Sequence, residues 1–217
     1  ECLITLSSTT ELVCQLGANS RIEPYSNHPV QVSVKNFGFA LKQSAEFTVQ
    51  FLPIISSVTP SSGSTAGGTL ITINGNGFVP DRTLILIGSN SYHSGTPGTI
   101  INNENIELRT LAESDVNRMI KVYINNMLVK SEEFNFLFDE ADTPKLVDVS
   151  PTAVNGSSLM TLSGRFLTSD PTKVSVQIGK ENCDVLSVDG TELSCRLDGL
   201  SLGDQQVTVS IRGKCFK

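Results

Sequence analysis

Tryptophan is absent from this chain of 217 residues, and aromatic residues of all kinds make up only 6% of it. Histidine is scarce as well, since His28 and His93 are the only two and lie far apart in the sequence. No serine or cysteine therefore has a base partner that would activate it as a nucleophile. We expect no catalytic residue and no enzymatic activity. Most Phe and Tyr residues fall at predicted strand or turn positions, which disfavours an exposed aromatic platform for carbohydrate.

Positive charge is the scarcer sign, because 16 Lys and Arg residues stand against 22 Asp and Glu residues. The net charge of −6 and the interspersed signs predict a solvated surface and oppose binding to a phosphate backbone. The sequence contains no apolar run long enough to cross a bilayer and no signal-peptide pattern. With Glu at position 1, we expect the chain to be a segment of a longer protein.

Two glycine-rich stretches lack the residues that would make them ligand-binding loops. Residues 63–68 have the glycines of a phosphate-cradling loop without its lysine, and residues 74–77 are not followed by an acidic residue at calcium-loop spacing. We interpret both stretches as turns between strands. The acidic cluster of Asp139, Glu140 and Asp142 is a second candidate for calcium, but a solvated linker is the simpler interpretation. The sequence thus assigns no cofactor and no metal ligand.

The chain contains an internal repeat that sets its organisation. Residues 53–78 (PIISSVTPSSGSTAGGTLITINGNGF) read as a strand, a glycine-rich corner, a second strand and a tight turn. The same frame returns 91 residues later, where residues 144–151 (PKLVDVSP) repeat the opening strand. After a corner that is three residues shorter, residues 163–166 (SGRF) repeat the turn that ends at Phe78. A third match is partial, with residues 2–14 resembling residues 183–195. The chain therefore holds pieces of three copies.

The repeat divides the chain into unequal parts. We predict the C-terminal half of a domain at residues 1–52, a complete domain at residues 53–138, an acidic linker at residues 139–143, and a domain lacking its last strand at residues 144–217. The first junction leaves one residue between Phe51 and Pro53, so it is expected to be stiff. The acidic linker is expected to permit more bending.

Four of the five cysteines form two pairs of equal spacing. Cys2 and Cys14 bracket a hairpin-length segment, as do Cys183 and Cys195, and both segments end in Thr-Glu-Leu-x-Cys. Across neighbouring antiparallel strands the α-carbons approach closely enough for a disulfide. Two copies of one spacing favour disulfides over buried free thiols or metal ligands, and disulfides indicate an extracellular or lumenal protein. Cys215 is left without a partner in this pattern, and its fate stays open.

Alternating apolar residues predict strands along the chain. In the half domain they fall at residues 3–6, 11–16, 30–34 and 46–51, with a loop at residues 27–29 and a hairpin turn at residues 36–38. In the complete domain they fall at residues 83–87, 100–101, 106–111, 120–124 and 133–138. Residues 112–118 predict at most a short helical turn. In the complete copy Tyr92 and Leu108 occupy the positions of the second cysteine pair.

The sequence from Ser57 onward resembles the start of an IPT/TIG domain, with the motif S-x-x-P-x-x-G-S-x-x-G-G-T-x-[IL]-T-I-x-G-x-G-F. With the tandem copies and the C-x(11)-C hairpins, it is most similar to the ectodomains of the fibrocystin family of very large single-pass membrane proteins. The third copy departs from this motif, with residues 154–158 in place of the double-glycine corner. The resemblance implies an all-β fold of tandem immunoglobulin-like β-sandwiches of the E-set type, arranged end to end.

The same resemblance implies a function. The chain is expected to be a non-catalytic extracellular segment, structural or adhesive, of a cell-surface protein with a ciliary, stereociliary or receptor-like role. Its expected partners are proteins, including a second copy of the same ectodomain, and the loops near Tyr92 and His93 are candidate contacts. Nucleic acid is not an expected partner. The parent protein is expected to be anchored in the plasma membrane.

A ligand-binding stalk of a plexin-like receptor is the alternative function, whereas a Rel-type DNA-binding module is opposed by the acidic charge and the paired cysteines. Asn155-Gly-Ser157 is the single sequon of the chain. It predicts an N-linked glycan on Asn155 in a secretory host, on an exposed turn of the third copy.

Overall fold

The computed structural model describes residues 2–16, 23–40, 47–154, 156–199, 203–211 and 214–216. These residues form an all-β structure in which two short 3₁₀ turns are the helical elements. The chain divides into two compact units, Glu1–Pro53 and Ile54–Lys217. Within the described ranges, no helix has the length and apolar character needed to span a membrane.

The N-terminal unit contains three antiparallel strand pairs: β1 (Cys2–Ser7) with β2 (Leu12–Leu16), β3 (Asn27–Pro29) with β6 (Thr48–Gln50), and β4 (Ser33–Val34) with β5 (Gly38–Phe39). The predicted hairpin turn at residues 36–38 is confirmed. The predicted loop at residues 27–29 is wrong, because this segment pairs with β6 and the Val30 N–H extends the ladder to the Phe47 carbonyl oxygen at 2.8 Å. Of the strand predicted at residues 30–34, only the last two residues are in a strand, namely β4, which pairs with β5.

Large apolar side chains of this unit remain exposed. Leu3 is 72% exposed and Phe37 is 89% exposed. A sandwich buries such side chains against a second sheet, and the described residues of this unit supply no such layer. The assignment of residues 1–52 to half of a domain stays a prediction.

The middle sandwich is built from two sheets. The smaller sheet has the order β12-β13-β9-β7, and the larger has the order β11-β10-β14-β16-β8, with β15 beside β14. The strands are β7 (Ile54–Thr59), β8 (Ser62–Ser64), β9 (Leu70–Asn76), β10 (Thr83–Ile87), β11 (Asn90–Tyr92), β12 (Ile100–Ile101), β13 (Asn105–Arg109), β14 (Val116–Ile124), β15 (Met127–Leu128) and β16 (Phe134–Asp139). A 3₁₀ turn, Pro80–Arg82, precedes β10. Alternate residues of the strands are fully buried and form the core, among them Ile71, Ile73, Ile85, Ile87, Phe136 and Phe138.

One prediction for the middle domain is wrong. Residues 74–77 are not simply a turn, because β9 runs through Asn76 and pairs with β7. Residues 112–118, for which the sequence allows at most a short helical turn, contain none, because β14 begins at Val116 and pairs with Phe138 of β16. In both places strand pairing across the sheet determines the backbone conformation, and the local residue types do not.

The third sandwich is one continuous sheet in the order β17-β18-β21-β20-β19-β22-β23, whose two halves enclose a single core. The strands are β17 (Lys145–Ser150), β18 (Ser157–Arg165), β19 (Val174–Ile178), β20 (Glu181–Val188), β21 (Glu192–Asp198), β22 (Val207–Ile211) and β23 (Lys214–Phe216). A 3₁₀ turn, Pro171–Lys173, precedes β19. β20 joins the halves, since Cys183 is in register with both Val176 of β19 and Leu197 of β21. In the middle sandwich the separate strands β11 and β12 take this place.

Candidate functional site

Both predicted cysteine pairs come together in the structure. Cys183 of β20 and Cys195 of β21 are bonded, with 5.4 Å between their α-carbons, and both side chains are buried. Cys2 of β1 and Cys14 of β2 are bonded in the same way, with 5.6 Å between their α-carbons. Each bond joins neighbouring antiparallel strands of one hairpin. The structure thus contains the pairing that the sequence predicts, without a bond between the two hairpins.

The middle sandwich fills the same position without sulfur. Tyr92 lies opposite Ile85 of β10, which is the register that Cys183 has with β19. Tyr92 and Leu108 are fully buried. The Tyr92 hydroxyl accepts a hydrogen bond from the Leu111 N–H at 2.9 Å, and burial raises the pKa of this hydroxyl. The predicted replacement of the cysteine pair by packed side chains is confirmed, but a buried Tyr92 does not offer a contact to a partner.

A capped turn recurs in all three hairpins and was not predicted from the sequence. The side-chain oxygens of Ser8, Asn102 and Asp189 accept from the N–H three residues later, at 2.9, 2.8 and 2.7 Å respectively. The backbone N–H of each returns a bond to the carbonyl three residues later, at 2.8, 2.9 and 3.0 Å. The N–H groups of Glu192 and Thr191 hold the pKa of the Asp189 carboxyl below its usual value. The available signal was a short polar residue six positions before Cys14, Leu108 and Cys195.

The acidic linker is bonded to the corner of the middle sandwich. The Ser62 hydroxyl donates to the Asp142 carboxylate at 2.6 Å, and the Thr65 N–H donates to the Thr143 hydroxyl at 2.9 Å. The Thr143 hydroxyl in turn donates to the Asp139 carbonyl oxygen at 2.8 Å. Thr143 is only 6% exposed. The sequence indicated a solvated linker, but Asp142 and Thr143 are hydrogen-bonded to the β8 corner. The greater bending expected of this linker stays a prediction.

The third sandwich holds the other side of the linker. The Arg165 guanidinium at the end of β18 donates to the carbonyl oxygens of Glu140 and Thr143, the latter at 2.7 Å. The Lys145 ammonium pairs with the Glu140 carboxylate at 2.5 Å, which lowers the pKa of that carboxyl. We call the linker with Ser62, Thr65 and Arg165 the joint. Its bonds reach into both sandwiches.

The remaining candidate residues are not gathered into a site. Within the described ranges, no three His, Cys, Asp or Glu side chains are grouped as metal ligands. His28 Nε2 lies 2.9 Å from the Glu23 carbonyl oxygen, and His93 Nδ1 accepts from the Gly95 N–H. Asn155 lies outside the described residues, as does the side chain of Cys215.

Comparison with known proteins identifies the family of these sandwiches. The sequence model of the IPT/TIG domain matches residues 53–137 and 144–216. The chain belongs to the IPT/TIG domain family. It is 30% identical to fibrocystin-L of Mus musculus over 97% of its length and 29% identical to fibrocystin-L of Homo sapiens over 99%. The chain spans about one twentieth of these relatives, since it covers 5% of each.

Plexins form a second group of similar proteins. The chain is 23% identical to Plexin-A4 of Mus musculus over 95% of its length, which is 11% of that protein. Among solved structures, the full extracellular region of plexin A4, domains 1 to 10, has 16% sequence identity and a TM-score of 0.48. The similarity covers 93% of this chain and 18% of that one.

Proposed function

We propose that this chain is an extracellular, non-catalytic segment of a large cell-surface protein, with a structural and adhesive role. The observation that carries the proposal is the pair of equivalent cysteine hairpins in a chain of IPT/TIG repeats. Disulfides persist in oxidising compartments, so both bonds favour a location outside the cytosol. The similarity to fibrocystin-L favours a membrane-anchored parent protein and a ciliary or stereociliary role.

The arrangement of the repeats supports a structural role. Each sandwich has its own core, and the joint ties the two together through side-chain and backbone hydrogen bonds. Tandem β-sandwiches present sides and edges to protein partners, and their number and order set the reach of the molecule. The partners of this segment are proteins, among them a second copy of the same ectodomain. The similarity to Plexin-A4 supports a ligand-binding stalk of a receptor as the second candidate.

A thiol count on the secreted protein tests the location. The chain is expressed with a signal peptide in mammalian cells, denatured without reductant and treated with a thiol reagent. We expect one reactive thiol, from Cys215, and peptide mapping should find Cys2 linked to Cys14 and Cys183 linked to Cys195. Breaking either bond should cost about 2 to 3 kcal/mol, since each closes a short loop. Five free thiols would overturn the extracellular proposal, and a bond between the two hairpins would overturn the pairing within each hairpin.

The predicted glycan adds an independent measurement on the same sample. We expect Asn155 to carry an N-linked glycan, so that the Asn155→Gln variant loses the mass that an N-glycanase removes from the parent chain. A secreted protein with unmodified Asn155 would contradict this part of the proposal.

A further inference from the structure

The outer face of the larger sheet in the middle sandwich is partly apolar. Leu84 and Leu86 of β10 lie opposite Tyr123 and Lys121 of β14, and all four alternate with buried residues, so they face away from the core. Both leucines and Tyr123 are half-buried, whereas Lys121 is exposed. Among the outward residues of these two fully described strands, Lys121 alone is charged. We call the four residues the lysine face.

The outer face of the smaller sheet is also partly apolar, but its central charge is acidic. Ile100 of β12 is 61% exposed and lies opposite Glu107 of β13. Leu70 of the neighbouring strand β9 is 39% exposed. The Arg109 side chain on this face donates to the Gly68 carbonyl oxygen at 3.1 Å. We call Leu70, Ile100 and Glu107 the glutamate face.

The central charges of the two faces are available to an external partner. Within the described ranges, neither Lys121 nor Glu107 forms an ion pair. A charge that becomes covered by apolar surface loses its hydration, and an opposite charge compensates for this loss. The two faces therefore match each other in chemistry, since each combines apolar side chains with one central charge and the two charges have opposite sign.

The third sandwich indicates that the fold does not require the lysine face. Positions 84 and 86 correspond to positions 175 and 177 in the 91-residue repeat, and the pairing of β19 with β22 identifies the other two counterparts. The four counterparts are Ser175, Gln177, Thr208 and Ser210. All four are uncharged polar residues.

The glutamate face is also altered in the third sandwich. The counterparts of Ile100 and Glu107 are Ser187 and Ser194, which lie opposite each other in β20 and β21. Their hydroxyl groups are hydrogen-bonded to each other at 2.7 Å. An exposed leucine, Leu159, remains on this face, but the acidic residue and the isoleucine do not. Because both faces change together between repeats of one fold, their residues in the middle sandwich favour a role in binding over a role in folding.

We propose that the lysine face of one copy of the chain binds the glutamate face of a second copy. The Lys121 ammonium pairs with the Glu107 carboxylate, and the apolar side chains of the two faces pack around this pair. Because the faces lie on opposite sides of one sandwich, each copy can bind one neighbour on either side, and the association is open-ended. This inference rests on the proposed adhesive function and names the surfaces through which that function acts.

The small size of the two faces indicates that a single contact is weak. Each face comes from only two or three strands, whereas a stable complex buries about 800 Å² on each partner. A weak contact suits a protein that is displayed in many copies on one surface, because neighbouring copies then bind through several contacts at once.

Sedimentation of the full chain tests the contact. We expect the weight-average sedimentation coefficient to rise with concentration beyond the value of a dimer. Lys121→Glu and Glu107→Lys should each raise the Kd at least about tenfold, because each variant places like charges against each other. Gln177→Glu is the matched control, since it adds a charge to the corresponding face of the third sandwich. This control should associate as the parent chain does.

Reversal of both charges tests whether the two faces pair with each other. The double variant, with Lys121→Glu and Glu107→Lys, should associate as the parent chain does, because the ion pair is restored with its signs exchanged. A parent chain that stays monomeric up to about 1 mM would overturn the self-association and leave the faces to other proteins. Weaker association of Lys121→Glu but not of Glu107→Lys, or a double variant that stays monomeric, would overturn the pairing of these two faces. The disulfide map of the secreted chain decides the extracellular location independently of these results.

Discussion

The hairpin turn of each repeat is capped by a different side chain: Asp189, Asn102 or Ser8. Each of these residues follows the end of a hairpin strand, and its side-chain oxygen accepts a hydrogen bond from a backbone N–H that would otherwise bond to water. The oxygen is carried by a carboxylate in the third repeat, by an amide in the middle repeat and by a hydroxyl in the first. Of the three capping groups only the Asp189 carboxylate titrates, so only this cap should be weakened by acid.

Acid should weaken the Asp189 turn more than a neutral version of it. The folded-state pKa of Asp189 is lowered by backbone N–H groups, so its stabilising contribution is present above the usual aspartate pKa and is lost as pH falls through the folded value. Asp189→Asn keeps the acceptor oxygen and removes the titration. We expect calorimetry to show a smaller fall in Tm between pH 7 and about pH 3 for Asp189→Asn than for the parent chain.

Asp189→Ala provides the matched control, because it removes the acceptor as well as the charge. At pH 7 this variant should have a lower Tm than Asp189→Asn. Equal Tm values for the two variants at pH 7 would show that the hydrogen bonds of the turn contribute nothing to stability.

At the residue scale, the sequence predicted the cysteine pairs and their replacements but not the polar turn caps. Tyr92 and Leu108 could be matched to a cysteine pair by spacing, because few positions in a hairpin allow a disulfide or a buried apolar pair. The turn caps were missed because Ser, Asn and Asp occur in loops of every kind. Which N–H each one faces depends on the strand register, and that register is a property of the folded sheet.

The close pairing of β7 with β9, and of β17 with β18, depends on a glycine. At Gly75 a Cβ would overlap the Ile54 carbonyl oxygen of β7, and at Gly164 it would overlap the Lys145 carbonyl oxygen of β17. Both glycines lie at a register shift in the pairing of these strands. The N–H of each glycine donates to a carbonyl oxygen of the capped turn at 2.8 Å, so the strand pairing and the turn support each other.

This close approach accounts for a glycine within residues 74–77, a segment whose composition alone predicts a turn. The motif Asn-Gly-Asn-Gly is typical of turns, but Gly75 is required here by the distance to β7. The sequence therefore predicted the position of the glycine correctly and its role incorrectly. β20 shows the opposite case, since nothing in the residues of the third repeat predicts one long strand where the middle repeat has two.

Replacing either glycine by alanine should destabilise its own sandwich. The added methyl group meets backbone, which cannot move aside as a flexible side chain does, so Gly75→Ala and Gly164→Ala should each cost about 1 to 3 kcal/mol. Urea unfolding followed by hydrogen exchange assigns the loss to one sandwich. Gly95→Ala is the matched control, because its Cβ would meet only the exposed His93 ring, 3.0 Å away. A loss at Gly95 as large as that at Gly75 would contradict this explanation.

At the scale of the whole molecule, the joint is the feature that the sequence described least well. A run of acidic residues between two apolar strands is typical of a solvated linker, and composition alone favoured bending. In the structure, Ser62 and Thr65 of the β8 corner and Arg165 of β18 provide hydrogen bonds that fix this segment. These residues are distant from the linker in sequence, and Arg165 belongs to a different repeat from Ser62. The stiffness expected of the junction at residues 51–53 stays a prediction.

Loss of the Arg165 guanidinium should loosen the joint without unfolding either sandwich. Arg165 donates to the carbonyl oxygens of Glu140 and Thr143, and Arg165→Met keeps much of the aliphatic stem while it removes both bonds. Residual dipolar couplings measured on the full chain should fit one alignment tensor for both sandwiches in the parent and two tensors of unequal magnitude in the variant. Lys145→Met is the control, because the exposed Lys145–Glu140 pair contributes little to rigidity. Unequal tensors in the parent chain, or an equal effect of Lys145→Met, would show that Arg165 does not hold the joint.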